Sequence, residues 1–327
     1  MEDLILVGID DGYSETKIAS SAGCLVIPNR GLRLDPGHDG VPAIAHTGLS
    51  GTYDVGGERI FVDMTIGGQD TFFDDFHISD LNSAFIHHVL RKSNYSGKRV
   101  VVAASLPLGS YYDAEGRVDW DLVEAKRRSL LSPVTVEGGV AACEITEAYV
   151  YPQGVSAWVS TVLDSKGRMH DAKRPVAVID IGERTTDIVV VLPPNRIDPA
   201  RTATVKIGVS EIHEVLRREL LANHGVTPQS PFLESATRFG TYRTIEHQID
   251  LRPVIEKAKK ELGERVIDAV RAVIGREDQF DSVMFVGGGS LALPRVASAF
   301  AKSKPVESPS FANARGLWKY LKYVQYA

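Results

Sequence analysis

The chain has 327 residues, 43% of them hydrophobic, and its 37 Lys and Arg against 42 Asp and Glu give a formal net charge of −5, a balance that fits an ordinary soluble protein of two domains. The basic residues are scattered apart from Arg91-Lys92, Lys126-Arg127-Arg128 and residues 257–260, so direct sequence-specific DNA binding is not expected. Two cysteines, Cys24 and Cys143, lack metal-ligand spacing, and no apolar run is long enough for a signal peptide or a membrane span; this argues against a disulfide scaffold, a zinc site and a membrane protein, and for a cytoplasmic one.

In chain order, residues 4–9 read as an apolar strand closed by Asp10, Asp11-Gly12 begins a turn, and residues 16–19 return as a second strand. Residues 24–27 add a strand, and residues 28–57, rich in Gly, Pro, His and Asp, are expected to form an exposed loop. After a strand at 58–63, the acidic stretch 69–80 leads into a helix capped by Asp80, with Leu81, Ala84, Phe85, His88 and Val89 as its apolar stripe. His87 and His88 are read as ordinary helix residues, since no partner motif accompanies them. Residues 99–106 have the unbroken apolar character of a central strand. A helix at 119–131, a strand at 142–150 and a short helix at 155–163 follow, and the Pro152-Gln153-Gly154 break sets Gln153 at a strand-to-helix junction, where side chains often project into clefts.

Residues 176–191 repeat the opening pattern: an apolar strand runs into Asp180, Gly182 follows after one intervening residue, polar residues fill the turn, and a second β-branched run starts after Asp187. A turn of this kind exposes N–H groups suited to an anion, and a carboxylate at the strand end suits a hydrated divalent cation. Two such turns suggest two related halves closing on one ligand. A strand at 203–207 leads through Gly208 into a helix from Ser210; residues 252–274 form the longest helix, a strand at 281–286 delivers Gly287-Gly288-Gly289, and a helix spans 291–301. Three glycines after a strand let a backbone approach a flat or charged ligand closely.

This ordered set resembles the actin/Hsp70/sugar-kinase ATPase superfamily, and within it the ParM/StbA bacterial actins that segregate plasmids. The phrases IDDGYSETK (9–17), SLPLGSYYD (105–113) and MFVGGG (284–289) carry the likeness. The resemblance implies an α/β actin-like fold, two related RNase H-like domains around a nucleotide cleft: residues 1–164 plus about 305–327 as domain I, 165–175 as a hinge, and 176–304 as domain II. By the same likeness Asp10 and Asp180 face a hydrated Mg2+, and Asp11, Gly12, Tyr13 and Ser14, with Gly182 and Thr185, contact phosphate. Lys17 reaches the β-phosphate region. Gly208, Glu256, Lys259, Gly287, Gly288 and Gly289 surround the nucleoside. Gln153 stands where that family usually has a catalytic glutamate; glutamine orients water but is no efficient base, which implies slow turnover. Glu183-Arg184 replaces small residues in the second turn, either aiming Arg184 at phosphate or forming a salt bridge.

The function implied is a slow Mg-dependent ATPase, with ATP or GTP as nucleotide, that polymerises into filaments and meets DNA through a ParR-type adaptor. Residues 28–57 and Asp74-Asp75 are candidate subunit contacts. Two alternatives stand beside it: a small-molecule kinase of the same superfamily, and a nucleotide sensor or scaffold with little hydrolysis.

Overall fold

The computed structural model describes residues 4–35, 50–64, 68–69, 71–113, 115–170, 172–245 and 247–327. The chain divides into two compact units, one made of Met1–His170 with Phe311–Ala327, the other of Asp171–Ser310.

In the first unit, β1 (Ile5–Asp11), β2 (Glu15–Ser20) and β3 (Gly23–Pro28) form an antiparallel meander, followed by β4 (Gly31–Leu34), β5 (Ser50–Val55), β6 (Glu58–Asp63) and α1 (Asp80–Lys92). Next come β7 (Arg99–Leu106), α2 (Leu108–Tyr111), α3 (Trp120–Leu131), β8 (Val134–Val136), β9 (Glu144–Pro152) and α4 (Val155–Val162). The main sheet runs β3-β2-β1-β7-β9, with β7 parallel to β1 and β9 parallel to β7. Parallel strands covered on both faces need continuous apolar sequence, and β7 supplies it: Val100, Val101, Val102, Ala103 and Ala104 are all fully buried.

The second unit repeats this plan. It contains β10 (Val176–Ile181), β11 (Thr186–Leu192), β12 (Arg196–Ile197), β13 (Ala203–Val205), α5 (Ser210–His224), α6 (Ser230–Phe239), β14 (Thr241–Arg243) and β15 (Gln248–Asp250). It ends with α7 (Arg252–Ile274), β16 (Ser282–Val286), α8 (Gly288–Ala292), α9 (Pro294–Ser298) and β17 (Ser303–Lys304). Its sheet runs β12-β11-β10-β16-β17, with β11 antiparallel to β10 and β16 parallel to it. Its core joins one face of this sheet to α5, α6 and α7 through residues such as Ile179, Val190, Leu216, Leu233 and Val266.

Helix α10 (Ala312–Tyr320) then returns to the first unit. It lies so close that a side chain at Gly8 of β1 would collide with the Ala314 carbonyl and the Trp318 amide, and one at Gly316 with the Ser156 carbonyl of α4. Lys319 extends this seam by donating to the Ser160 and Leu163 carbonyls at the end of α4, a favourable place for a cation.

Three local expectations are corrected. The stretch 28–57 is not one loop: β4 and β5 belong to a four-stranded sheet ordered β4-β6-β5-β8, in which Tyr53, Val55, Ile60 and Val62 pack on Phe76, Leu81 and Phe85. Residues 36–49 of it lie outside the described residues. The cap of α1 is Ser79, whose hydroxyl accepts from the Asn82 amide, and Asp80 is already inside the first turn. The helix expected at 291–301 is two short ones, because Pro294 has no N–H to continue α8 and instead opens α9.

Candidate functional site

The chemistry-bearing residues of the first unit gather where β1 ends. Successive strand residues point to opposite faces, so Asp10 and Asp11 have different surroundings. Asp10 Oδ1 accepts hydrogen bonds from Ser105 Oγ at 3.1 Å and Gln153 Nε2 at 3.3 Å. Ser105 is on β7, the parallel neighbour of β1, and Gln153 directly follows β9, the next parallel strand beyond β7, so the ends of these two strands bring both groups to Asp10. Burial pushes the Asp10 carboxyl above the usual carboxylate range, opposed by the Lys17 ammonium and the Ser105 hydroxyl. Lys17 sits opposite Asp10 in the β1–β2 ladder, and its Nζ is 3.1 Å from Glu15 Oε2.

Asp11, expected to contact phosphate, turns its side chain the other way. It is fully buried and accepts from Lys126 Nζ at 2.6 Å and Asn82 Nδ2 at 3.0 Å. Burial alone would raise this carboxyl, but Lys126 and His77 outweigh it and hold it below the usual range.

The turn itself is tied down by residues that the sequence did not single out. Asn29 Nδ2 donates to the Gly12 carbonyl at 2.7 Å and the Tyr13 carbonyl at 3.2 Å, while Thr16 Oγ1 donates to Asn29 Oδ1 at 2.7 Å. Thr71 Oγ1 also donates to the Tyr13 carbonyl, and the Asn29 amide donates to the Ser14 carbonyl. The Tyr13 ring packs on Phe72, Phe76 and His77. His87 and His88 are buried helix residues: His88 Nδ1 bonds the Tyr53 hydroxyl at 2.8 Å, and burial lowers the His87 imidazole to about 4.

In the second unit the equivalent hairpin is β10–β11. Asp180 is the penultimate residue of β10, 7% exposed, and directly opposite it in the ladder stands Asp187, 2% exposed, which accepts from Thr204 Oγ1 at 2.6 Å. Asp187 was not singled out as a site residue; its place opposite Asp180 is a matter of register, visible once the turn length is known. Gly182 N donates to the Thr185 carbonyl at 2.9 Å, closing the turn. The backbone leading into α5 braces it from outside: Val209 N donates to the Gly182 carbonyl and Ser210 N to the Glu183 carbonyl. Gly208 leaves no room for a side chain against the Glu183–Arg184 backbone. Glu183 pairs with His213 of α5 at 3.3 Å, so its charge is not reserved for Arg184.

The three glycines after β16 reach this same place. Gly287 has φ +80°, and a Cβ there would collide with Asp180 Oδ1 and the Ile181 carbonyl; one at Gly289 would collide with the Ile181 side chain. Glycine is therefore required both by conformation and by close approach. Gly288 is open around its Cα and begins α8. Glu256 and Lys259 lie on α7 as an i,i+3 pair, 3.6 Å apart. Among the described residues, no group of three or more His, Cys, Asp and Glu side chains is arranged to hold a metal ion directly, and no helix is long and apolar enough to cross a membrane.

Comparison with known proteins adds independent observations. Residues 52–164 match the family model for plasmid segregation protein ParM, N-terminal, and residues 178–297 match that for archaeal actin homologue MreB-like, C-terminal. Among solved structures, the archaeal actin homologue Ta0583, as native protein and in complex with ADP, aligns over 98% of this chain and 99% of its own with 22% identity and a TM-score of 0.79. A 15-stranded ParM filament from Clostridium botulinum aligns over 98% and 99% with 18% identity and a TM-score of 0.78. No curated protein sequence matches the chain.

Proposed function

From a chain with the actin-like fold, we propose a nucleotide-dependent polymerising ATPase, using ATP or GTP with Mg2+, whose filaments segregate DNA, a plasmid in the first instance, through a ParR-type adaptor. The observation that carries this reading is the duplicated hairpin, each copy with a buried carboxylate one residue before the end of its first strand and a glycine two residues after that carboxylate. The ParM N-terminal match supports the polymerising and DNA-segregating part, and the ADP complex of the archaeal homologue supports the nucleotide.

The residues suit a hydrated divalent cation. Asp10 and Asp180 are hard oxygen donors at strand ends, and the burial that disfavours the Asp10 charge is relieved by a neighbouring cation. Bound Mg2+ would neutralise developing charge on the transferring phosphoryl group. The chain's own residues do the rest. Gly12, Tyr13 and Ser14 in one turn, and Thr185 in the other, offer backbone and hydroxyl donors to phosphate oxygens, and Gly182 lets the second turn approach phosphate without a side chain in the way. Lys17 adds positive charge to the first turn. Gln153, whose amide nitrogen is engaged with Asp10, keeps its carbonyl oxygen as the acceptor that orients an attacking water. No side chain in this set is an efficient base, so turnover is slow. Gly208, Gly287, Gly288 and Gly289, with Glu256 and Lys259 on α7, receive the nucleoside.

Right-angle light scattering with parallel phosphate release, in Mg2+ with ATP, GTP, ADP or no nucleotide, tests the reading. A nucleotide-triggered rise above a critical concentration, followed by phosphate release, is the expected result. No rise at high protein concentration despite tight nucleotide binding would sink the filament reading.

A further inference from the structure

Beneath the first turn lies a charge pair that the proposed chemistry does not use. Lys126 is fully buried on α3 and spends all three ammonium hydrogens on Asp11 Oδ2 at 2.6 Å, the His77 carbonyl at 2.6 Å and Asn82 Oδ1 at 2.8 Å. Asn82 Nδ2 returns a bond to the same Asp11 oxygen, and His77 Nδ1 is 3.5 Å from it. Three separate elements, the 3-10 turn Phe76–Ile78, α1 and α3, therefore converge on one carboxylate. That carboxylate belongs to the last residue of β1, between Asp10 and Gly12. His77 also touches the turn itself, edge-on to the Tyr13 ring with centroids 4.9 Å apart.

A buried ion pair is a poor way to gain stability, because desolvating both charges offsets their attraction and an apolar replacement of similar volume is often at least as stable. The second unit contains that apolar solution. The residue after Asp180 is Ile181, fully buried in the core cluster, at the position that Asp11 holds after Asp10. What the ion network adds over Ile181 is direction: hydrogen bonds fix where the β1 end stands, whereas hydrophobic contact does not.

We propose that Lys126, with Asn82 and His77, is a positioning network that holds the first phosphate turn in its working geometry through Asp11. This rests on the nucleotide reading of the turn. Lys126 touches neither Asp10 nor the turn's Gly12, and it acts only through the Asp11 carboxylate and the backbone it carries.

The test uses the full chain carrying Asp11→Ile with Lys126→Met, which gives the first unit the apolar arrangement of the second. Thermal unfolding, ADP affinity by titration calorimetry, and kcat and KM for phosphate release from Mg-ATP, well below the unfolding temperature, are measured beside the unsubstituted protein. The expected result is unfolding at or above the original temperature with a kcat at least tenfold lower and KM changed less than threefold. A kcat within twofold of the original, at any stability, overturns the proposal and makes the pair merely structural. Should the double variant not fold, Asn82→Leu, which keeps the ion pair and removes two of its bonds, is expected to lower kcat about threefold; an unchanged kcat overturns the proposal there as well. If the unsubstituted protein neither binds ADP nor releases phosphate, it is the nucleotide reading that fails, and this inference falls with it.

Discussion

The hairpins β1–β2 and β10–β11 share one backbone design and solve its interior differently. In both, the carboxylate near the end of the first strand lies opposite the residue that follows a buried threonine of the return strand, Asp10 opposite Lys17 and Asp180 opposite Asp187. In both, the glycine of the turn packs against the carbonyl three residues on, that of Glu15 or Thr185. The residue opposite the carboxylate is positive in the first unit and negative in the second, and the residue beneath it is a paired aspartate in the first and an isoleucine in the second. The duplicated frame therefore sets where ligand groups stand, while the substitutions within it make one hairpin cationic and networked, the other acidic and apolar-backed. A repeated fold does not imply a repeated role.

Removing one partner from the network separates the two hairpins most sharply. Lys126→Met leaves the Asp11 carboxylate buried without its cation and is expected to destabilise the first unit by about 3–5 kcal/mol, whereas Ile181→Val at the matching place in the second unit loses about 1 kcal/mol. Denaturant unfolding of the two variants checks this, and equal losses would remove the distinction. Next in size, Asp10→Ala and Asp180→Ala are each expected to slow phosphate release about 100-fold; a large loss from only one would show that the hairpins do not share the metal-side work.

The glycines give a smaller contrast. Gly287→Ala must adopt φ +80° and push Cβ into the Asp180 carboxylate, for about 2 kcal/mol of lost stability. At Gly12 the added Cβ meets only the Glu15 carbonyl at 3.4 Å, an ordinary contact, so Gly12→Ala should lose less than about 1 kcal/mol. Thermal melts of the two variants decide it. The smallest effect is acid sensitivity. Among the described residues the buried histidines, His77, His87 and His88, all belong to the first unit. His87 is held to about 4 by burial, against an ordinary 6.5. Below pH 6.5 the unfolded chain binds a proton that the folded chain refuses until about pH 4, so stability present at neutral pH is lost as pH falls across that window. By pH 5.5 the loss is about 1 kcal/mol, and His87→Leu should abolish that part of the pH dependence in denaturant titrations.

What the sequence made legible was what repeats locally. Each strand, Asp, Gly, strand pattern is contained in about a dozen residues, so both hairpins and the longest helix, α7, could be read directly, and Gln153 was legible from the Pro and Gly around it. The supports of the first turn were not. Lys126 meets Asp11 across 115 positions and Ser105 meets Asp10 across 95, and single polar contacts at such separations leave no periodic trace. The strands β4 and β5 were hidden for a related reason: their partners β6 and β8 make them strands, while their Gly-rich neighbourhood reads as a loop. Asp187 was in view throughout, but only the ladder register shows it facing Asp180.

The seam between β1, α4 and α10 bears on the order in which the molecule can be assembled during synthesis. Gly8 is made well before the groups that press on it, which belong to Ala314 and Trp318. The second unit is encoded by one uninterrupted stretch and has all its internal partners once Ser310 has been added. The first unit has started earlier but cannot close until the segment beyond Phe311 emerges and slides its glycine face between strand and helix. A domain begun before the other is thus finished after it, and until then the faces of β1 and α4 that α10 covers stay open.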